Sequence, residues 1–259
     1  DNRRSRGLGD VYKRQALYSI CKRIRYWSYT SLNNNYKIHE FTNNLGYIDE
    51  KMPDDVYQII LDELDIAAGR KIAHNTKLVG NIEEQYLMDF KNQINLYKLE
   101  TYLRGLAGIY EKKFKYMSCM GNQTMSLDEG TSFDLRLRNC WVNFMKKYEF
   151  NPIHNHSGLY SFNIFVKVPY NLKEEFNSPR TQNKDQKFPG CFSFYCGNGL
   201  GEFVPHVVEA DKEWEQVIIL FPSITQHCVY PFYTSDDYRI TVSGNLYLNP
   251  VSRPSVSYY

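Results

Sequence analysis

Two periodicities divide the chain. After Met52-Pro53-Asp54-Asp55, the apolar residues Val56, Ile59, Ile60 and Leu64 recur three and four apart. That spacing predicts a helix with Pro and two acids in its first turn, near the positive end of the dipole. Gly69 is the expected stop. Residues 83–90 read as a second short helix and 96–114 as a stronger one. In the latter Leu96, Leu99, Leu103 and Leu106 form one stripe that Ile109 and Tyr110 continue. Such a stripe is core packing rather than a cofactor contact. Residues 37–43, KIHEFTN, suggest a short strand.

From Phe133 the period falls to two. In DLRLRNCWVNF, Leu135 and Leu137 share a face that Trp141 and Asn143 continue. Further strands are expected at 159–168, 190–195, 204–209, 216–221, 228–232 and 239–248. Pro152, Pro169, Gly197-Asn198-Gly199, Pro222-Ser223 and Ser235-Asp236-Asp237 punctuate them. Many short strands separated by turn residues indicate a sandwich or jelly roll, and helices preceding strands suit helices packed on one sheet. The expected class is α+β, mainly β. The polar stretch 171–190 is the one long interruption, of the kind that forms lids or binding loops as often as plain solvated insertions. There is no internal repeat.

Composition changes this picture at the first residues. The opening fifteen, DNRRSRGLGDVYKRQ, carry five Lys/Arg and two Asp, and setting them aside takes the formal charge from +2 to −1. They resemble translated sequencing-adaptor read-through, a non-native tail to be excluded from fold reasoning. The rest has no basic excess, so a nucleic acid partner is not expected. The expected organisation is a non-native tail at 1–15, an aperiodic segment at 16–36, a helical part at 37–118 and a β core at 119–259. No apolar run approaches the ~20 residues of a membrane span. The six cysteines (Cys21, Cys119, Cys140, Cys191, Cys196, Cys228) contain no CxxC pair, which fits reduced, buried thiols in a cytoplasmic protein. The 22 tyrosines accompany plentiful Asn, Lys, Ile and Phe and imply no function by themselves.

The candidate chemistry lies in NPIHNHSGLYSFNIFVKVP and FPSITQHCVYPFYTSDDYRITVSGN. His154 and His156, two apart on an expected strand, would point to one side. With His227 from a neighbouring strand they could converge on one metal. Arg239, Thr241, Ser243 and Asn245 share a face by alternation. An arginine fork with hydroxyls beside it suits a carboxylate. The plainer reading of Arg239 is a surface ion pair with Asp236 or Asp237. Asn163, alone and polar in SFNIFV, needs a buried partner, either structural or a ligand. Tyr160 and Trp141 are expected in the core. His206 is a spare histidine that could replace His156, and His39 and His74 have no supporting context.

WVNFMKKYEFNPIHNHSG together with FPSITQHCVYPF and RITVSGN resembles the iron(II)/2-oxoglutarate-dependent oxygenases, and among them those of marine phages. The likeness covers residues 133–248, with an echo in LVGNIEEQY. It implies a double-stranded β-helix, a cupin-like jelly roll. It also implies Fe(II) held by His154, His156 and His227, and 2-oxoglutarate anchored by Arg239 and Thr241, with Ser243 and Asn163 as further contacts. Dioxygen and an unidentified primary substrate complete the partners. The implied activity couples decarboxylation of 2-oxoglutarate to hydroxylation, in the cytoplasm, or the host cytoplasm for a viral protein. The family's usual first motif is His-x-Asp or His-x-Glu, whereas this chain has His156. Three neutral imidazoles leave a ferrous ion one charge more positive than two imidazoles and a carboxylate. A three-histidine dioxygenase independent of 2-oxoglutarate, and a non-catalytic jelly-roll module, are the competing readings.

Overall fold

A computed structural model describes residues 35–42, 44–75, 79–117, 132–185 and 187–251. The expected tail at 1–15, nearly all of 16–36, Cys21 and Cys119 lie outside them. The chain is a double-stranded β-helix with two long helices against its larger sheet. Strands β1 (Lys37–Thr42) and β2 (Leu45–Lys51) lead into helix α1 (Asp54–Arg70). Strand β3 (Glu84–Leu87) and helix α2 (Gln93–Phe114) follow, then β4 (Ser132–Met145), β5 (Asn151–His154) and β6 (Tyr160–Lys167). A short helix α3 (Leu172–Phe176) precedes β7 (Phe192–Gly197), β8 (Phe203–Val208), β9 (Val217–Pro222), β10 (Gln226–Val229) and β11 (Arg239–Val251).

The strands form a seven-stranded sheet ordered β1-β2-β9-β6-β11-β4-β3 and a four-stranded sheet ordered β5-β10-β7-β8. From β4 onward the chain passes repeatedly between the sheets, which closes a cavity between them. Residues 37–118 therefore supply two helices and also three strands of the large sheet.

Alternation gives each central strand of the large sheet two buried faces. Tyr160, Phe162 and Ile164 of β6, Ile218 and Leu220 of β9, and Val242 and Leu246 of β11 pack with Leu99, Leu103, Leu106 and Tyr110 of α2 and with Ile59 and Ile60 of α1. Each such side chain contributes roughly 1.5–3 kcal/mol on burial. The opposite face supplies Phe165, Ile219 and Phe221, which meet Phe192 and Phe194 of the small sheet. Asn92 caps α2 by accepting from the backbone N–H groups of Ile94 and Asn95.

Several expectations need correction. Residues 84–87 are an edge strand paired with β4, not a helix: Gln85 opposes Asn143 and Leu87 opposes Trp141. Helix α1 passes through Gly69 and ends at Lys71, which takes the left-handed conformation at φ 51° and returns its N–H to Ala67 O. In β4 the two faces exchange part-way. The β11 register shifts between Asn245↔Asn139 and Leu246↔Leu137, leaving Arg138 as an extra residue. A one-residue bulge swaps the sides of a strand. Leu135 thus packs in the helix-side core while Trp141 and Asn143 face the cavity, and Cys140 and Val142 take the core side.

Candidate active site

A cavity of about 90 Å³ lies between the sheets. Its small-sheet wall carries the histidines. Antiparallel pairing sets His154, at the end of β5, directly opposite His227 in β10. Their ring centroids are 4.3 Å apart. His156 is not on the strand, which ends at His154. It sits in the following turn, where its N–H donates to Ser223 O at 2.8 Å. That bond brings its ring to 4.9 Å from His154 and 5.0 Å from His227. One nitrogen from each of the three rings lies within 4.8 Å of the others, a grouping able to hold a metal ion.

The tautomers suit ligation. His154 Nδ1 donates to Pro152 O at 2.7 Å and His227 Nδ1 to Thr225 O at 2.9 Å. Since a carbonyl only accepts, the Nε2 lone pairs remain free. Burial holds all three rings neutral. It lowers His154, takes His156 down to about 3 with help from His154, and puts His227 well below the usual histidine range. Neutral imidazoles bind a cation without first releasing a proton. Phe192 lies almost parallel to the His227 ring at 5.3 Å, and Phe221 meets it edge-on at 5.0 Å. These rings keep water from that side.

The large-sheet wall offers protons instead. Arg239, the first residue of β11, is 1 % exposed. Its Nη1 donates to Gly190 O at 3.3 Å, its Cζ lies 5.6 Å from the Phe165 ring centre, and its Nε has no partner among the described residues. The surface-pair reading fails, because Lys147 holds Asp236 and Lys167 holds Asp237. Among the described residues no Asp or Glu lines the cavity. A buried guanidinium without a carboxylate is costly unless a ligand supplies the anion.

Beside it runs a line of polar side chains across four strands. Gln85 Nε2 donates to Asn143 Oδ1 at 2.8 Å. Asn143 Nδ2 donates to Thr241 Oγ1 at 3.2 Å and to Ser243 Oγ at 3.4 Å. Ser243 donates to Asn163 Oδ1 at 2.9 Å. Asn163 Nδ2 is buried without a partner among the described residues.

Residues 139–245, which span both walls, match the sequence family described as "Putative 2OG-Fe(II) oxygenase". Over those residues the chain is similar to the 2OG-Fe(II) oxygenases. It is accordingly an enzyme whose cofactor is Fe(II) and whose co-substrate is 2-oxoglutarate. Solved structures show distant likeness. A prolyl-4-hydroxylase from Pseudomonas putida is 12 % identical, covering 78 % of this chain and 92 % of its own, with a TM-score of 0.49. A prolyl hydroxylase from Trichoplax adhaerens, in complex with a hypoxia-inducible-factor peptide fragment, is 10 % identical over 93 % and 92 %, with a TM-score of 0.46. The carbocyclase SnoK from nogalamycin biosynthesis is 12 % identical over 83 % and 84 %, with a TM-score of 0.41. No curated protein sequence matches the chain.

The oxygenase brings all seven expected residues, His154, His156, His227, Arg239, Thr241, Ser243 and Asn163, to one cavity. His206 stays away, on β8 with its ring 4.5 Å from Phe41. His39 pairs with Asp49. Gln85, Asn143 and Trp141 also line the cavity. Trp141, expected in the core, is buried and also lines the cavity, where it meets His156 edge-on at 5.5 Å. The 171–190 stretch is tied down: Glu175 accepts from the backbone N–H groups of Tyr233 and Thr234, and Gly190 supplies the carbonyl under Arg239. Cys140, Cys191, Cys196 and Cys228 are free and buried. Among the described residues no helix is long and apolar enough to cross a membrane.

Proposed function

We propose that this oxygenase couples oxidative decarboxylation of 2-oxoglutarate to hydroxylation of a second substrate, at the cavity between the sheets. His154, His156 and His227 hold Fe(II) through their free imidazole nitrogens. The bound iron supplies the activation of dioxygen. Arg239 binds the far carboxylate of 2-oxoglutarate, Thr241 donates a second bond to it, and Asn163 offers a third donor. Phe192 and Phe221 shield the ligand histidine His227 from water. The substrate enters beside Val79, Asn151 and Asn155, which line the cavity together with His154.

One observation carries this reading: a fully buried arginine with no acidic partner among the described residues shares a small cavity with three neutral histidines. A pure metal-binding or packing role has no use for that arginine. His156 in place of a carboxylate favours a second reading, a three-histidine dioxygenase that needs no 2-oxo acid, and Arg239 opposes it.

The test is anaerobic loading with Fe(II) and 2-oxoglutarate, followed by the weak visible metal-to-ligand charge-transfer band. The band should form in the native protein, vanish in His227→Ala and weaken in Arg239→Ala. Tight iron binding without the band would support the second reading instead.

A further inference from the structure

We propose that Gln85 and Asn143 are positioning residues that orient the cavity's hydroxyl and amide donors toward the ligand and so set its preference for a carboxylate. The inference rests on the reading of Arg239 and Thr241 as the 2-oxoglutarate anchor. It starts from proton counting. A hydroxyl has one proton to give, and an amide has a donor end and an acceptor end. Gln85, 3 % exposed on β3, presents its NH₂ to Asn143 Oδ1. That contact turns the Asn143 oxygen toward β3 and its NH₂ toward β11, where it donates to both Thr241 and Ser243. Both hydroxyls are acceptors in these bonds, so both protons are left to give. Ser243 gives its own to Asn163 Oδ1, which leaves the Asn163 NH₂ buried and unpartnered. Thr241 gives its proton to no protein acceptor among the described residues.

The line therefore has a direction. It starts at Gln85 and ends in two free donors, Thr241 Oγ1–H and Asn163 Nδ2–H, in the cavity that also holds the unpartnered Arg239 Nε. A group that only accepts, such as an ionised carboxylate, satisfies all three. A hydroxyl or amide ligand would leave a donor facing a donor. Ser243 thus acts through Asn163 rather than by touching the co-substrate.

The direction can be reversed from outside the ligand's reach. Gln85→Glu replaces the first donor with an acceptor-only group. The Asn143 amide then turns over, its oxygen faces β11, and Thr241 and Ser243 donate to it. The free hydroxyl proton is lost to the cavity, and Asn163 turns its oxygen inward. Gln85→Met removes the donor without imposing an acceptor, so it disorders the line rather than reversing it.

The experiment is calorimetric titration of the anaerobic Fe(II)-loaded protein with 2-oxoglutarate, alongside separate Fe(II) titrations. Gln85→Glu should raise the 2-oxoglutarate Kd about tenfold or more, and Gln85→Met by about threefold or less, both with Fe(II) affinity retained. Thr241→Val should raise Kd about tenfold in the native background but less than about twofold on top of Gln85→Glu, since that proton has already been withdrawn. Equal effects of Gln85→Glu and Gln85→Met overturn the proposal. So does a Thr241→Val effect that persists in full in the Gln85→Glu background, which would mark simple charge repulsion by Glu. If Gln85→Glu does not fold, Asn143→Asp places the same acceptor one link nearer and is held to the same two criteria. Native protein that binds Fe(II) but not 2-oxoglutarate fails the functional reading itself, whereas native binding with either contrary pattern fails the line alone.

Discussion

The two walls of the cavity are built on opposite terms. The small-sheet wall presents lone pairs: three neutral imidazoles, two of them fixed by carbonyls two residues back in their own chain. The large-sheet wall presents protons: a guanidinium, a hydroxyl and an amide with no carboxylate among them. One wall suits a cation and the other an anion. A ligand spanning both must be negative at the arginine end and able to share electrons at the metal end, and a 2-oxo diacid is both. The costs also differ. A neutral imidazole is buried cheaply, while a buried unpaired guanidinium is among the dearest groups a core can hold.

The sharpest way to break this contrast is to remove one group from each wall. His227→Ala should lower Fe(II) affinity by at least about a hundredfold and abolish the 2-oxoglutarate charge-transfer band. Metal titration followed by visible spectroscopy measures both, and retained affinity would mean the ring is not a ligand. Arg239→Met should raise the 2-oxoglutarate Kd by about a hundredfold with Fe(II) binding intact. It should also leave the ligand-free fold as stable as before, or stabilise it by about 1–4 kcal/mol, because the unpaired charge is gone. Calorimetric unfolding without ligand decides this. A clear loss of stability would show that the protein itself compensates the arginine, and the contrast between the walls would fail.

The walls also differ in how much of them the sequence displays. The histidine wall is local. His154 and His156 are two residues apart, and His227 follows a hydrophobic strand and a turn, so spacing and punctuation expose all three. Spacing did not show that His156 has left the strand, because its place depends on a bond to Ser223. The arginine wall is spread over β3, β4, β6 and β11. Alternation along β11 is strict enough to reveal Arg239, Thr241 and Ser243 together. Gln85 was hidden because four residues of edge strand carry too little period to be told from a helical turn. Trp141 and Asn143 lie on the face opposite to the one that alternation from Leu135 predicts, because the extra residue Arg138 inverts β4 part-way and no local signal marks a bulge. The helices α1 and α2 were plain, since both carry long apolar stripes at helical spacing.

A smaller perturbation tests whether the 171–190 stretch belongs to the arginine wall. Gly190 takes φ +74°, and a Cβ there would lie 2.7 Å from the Tyr170 ring. Gly190→Ala should destabilise the fold by roughly 1–3 kcal/mol. It should also raise the KM for 2-oxoglutarate by shifting the carbonyl on which Arg239 rests, with Fe(II) affinity unchanged. Thermal unfolding and a KM-against-kcat comparison read the two effects. Lost stability with an unchanged KM would make the stretch a structural tie only.

The smallest effect separates position from packing. Gly190 O accepts from Tyr170 Oη at 2.6 Å as well as from Arg239, and the Tyr170 ring stacks on Phe232 at 4.9 Å. Tyr170→Phe keeps the ring and removes only the proton. The direct loss is one buried hydrogen bond, about 0.5–1.5 kcal/mol of stability. The carbonyl, freed from the tyrosine, then competes with the co-substrate for the guanidinium. Stability should therefore fall slightly, and the 2-oxoglutarate Kd should rise by about two- to threefold. A tighter Kd in Tyr170→Phe would mean the tyrosine restrains the arginine from the ligand rather than holding its floor in place, and the large-sheet wall would then be poised by tension instead of by support.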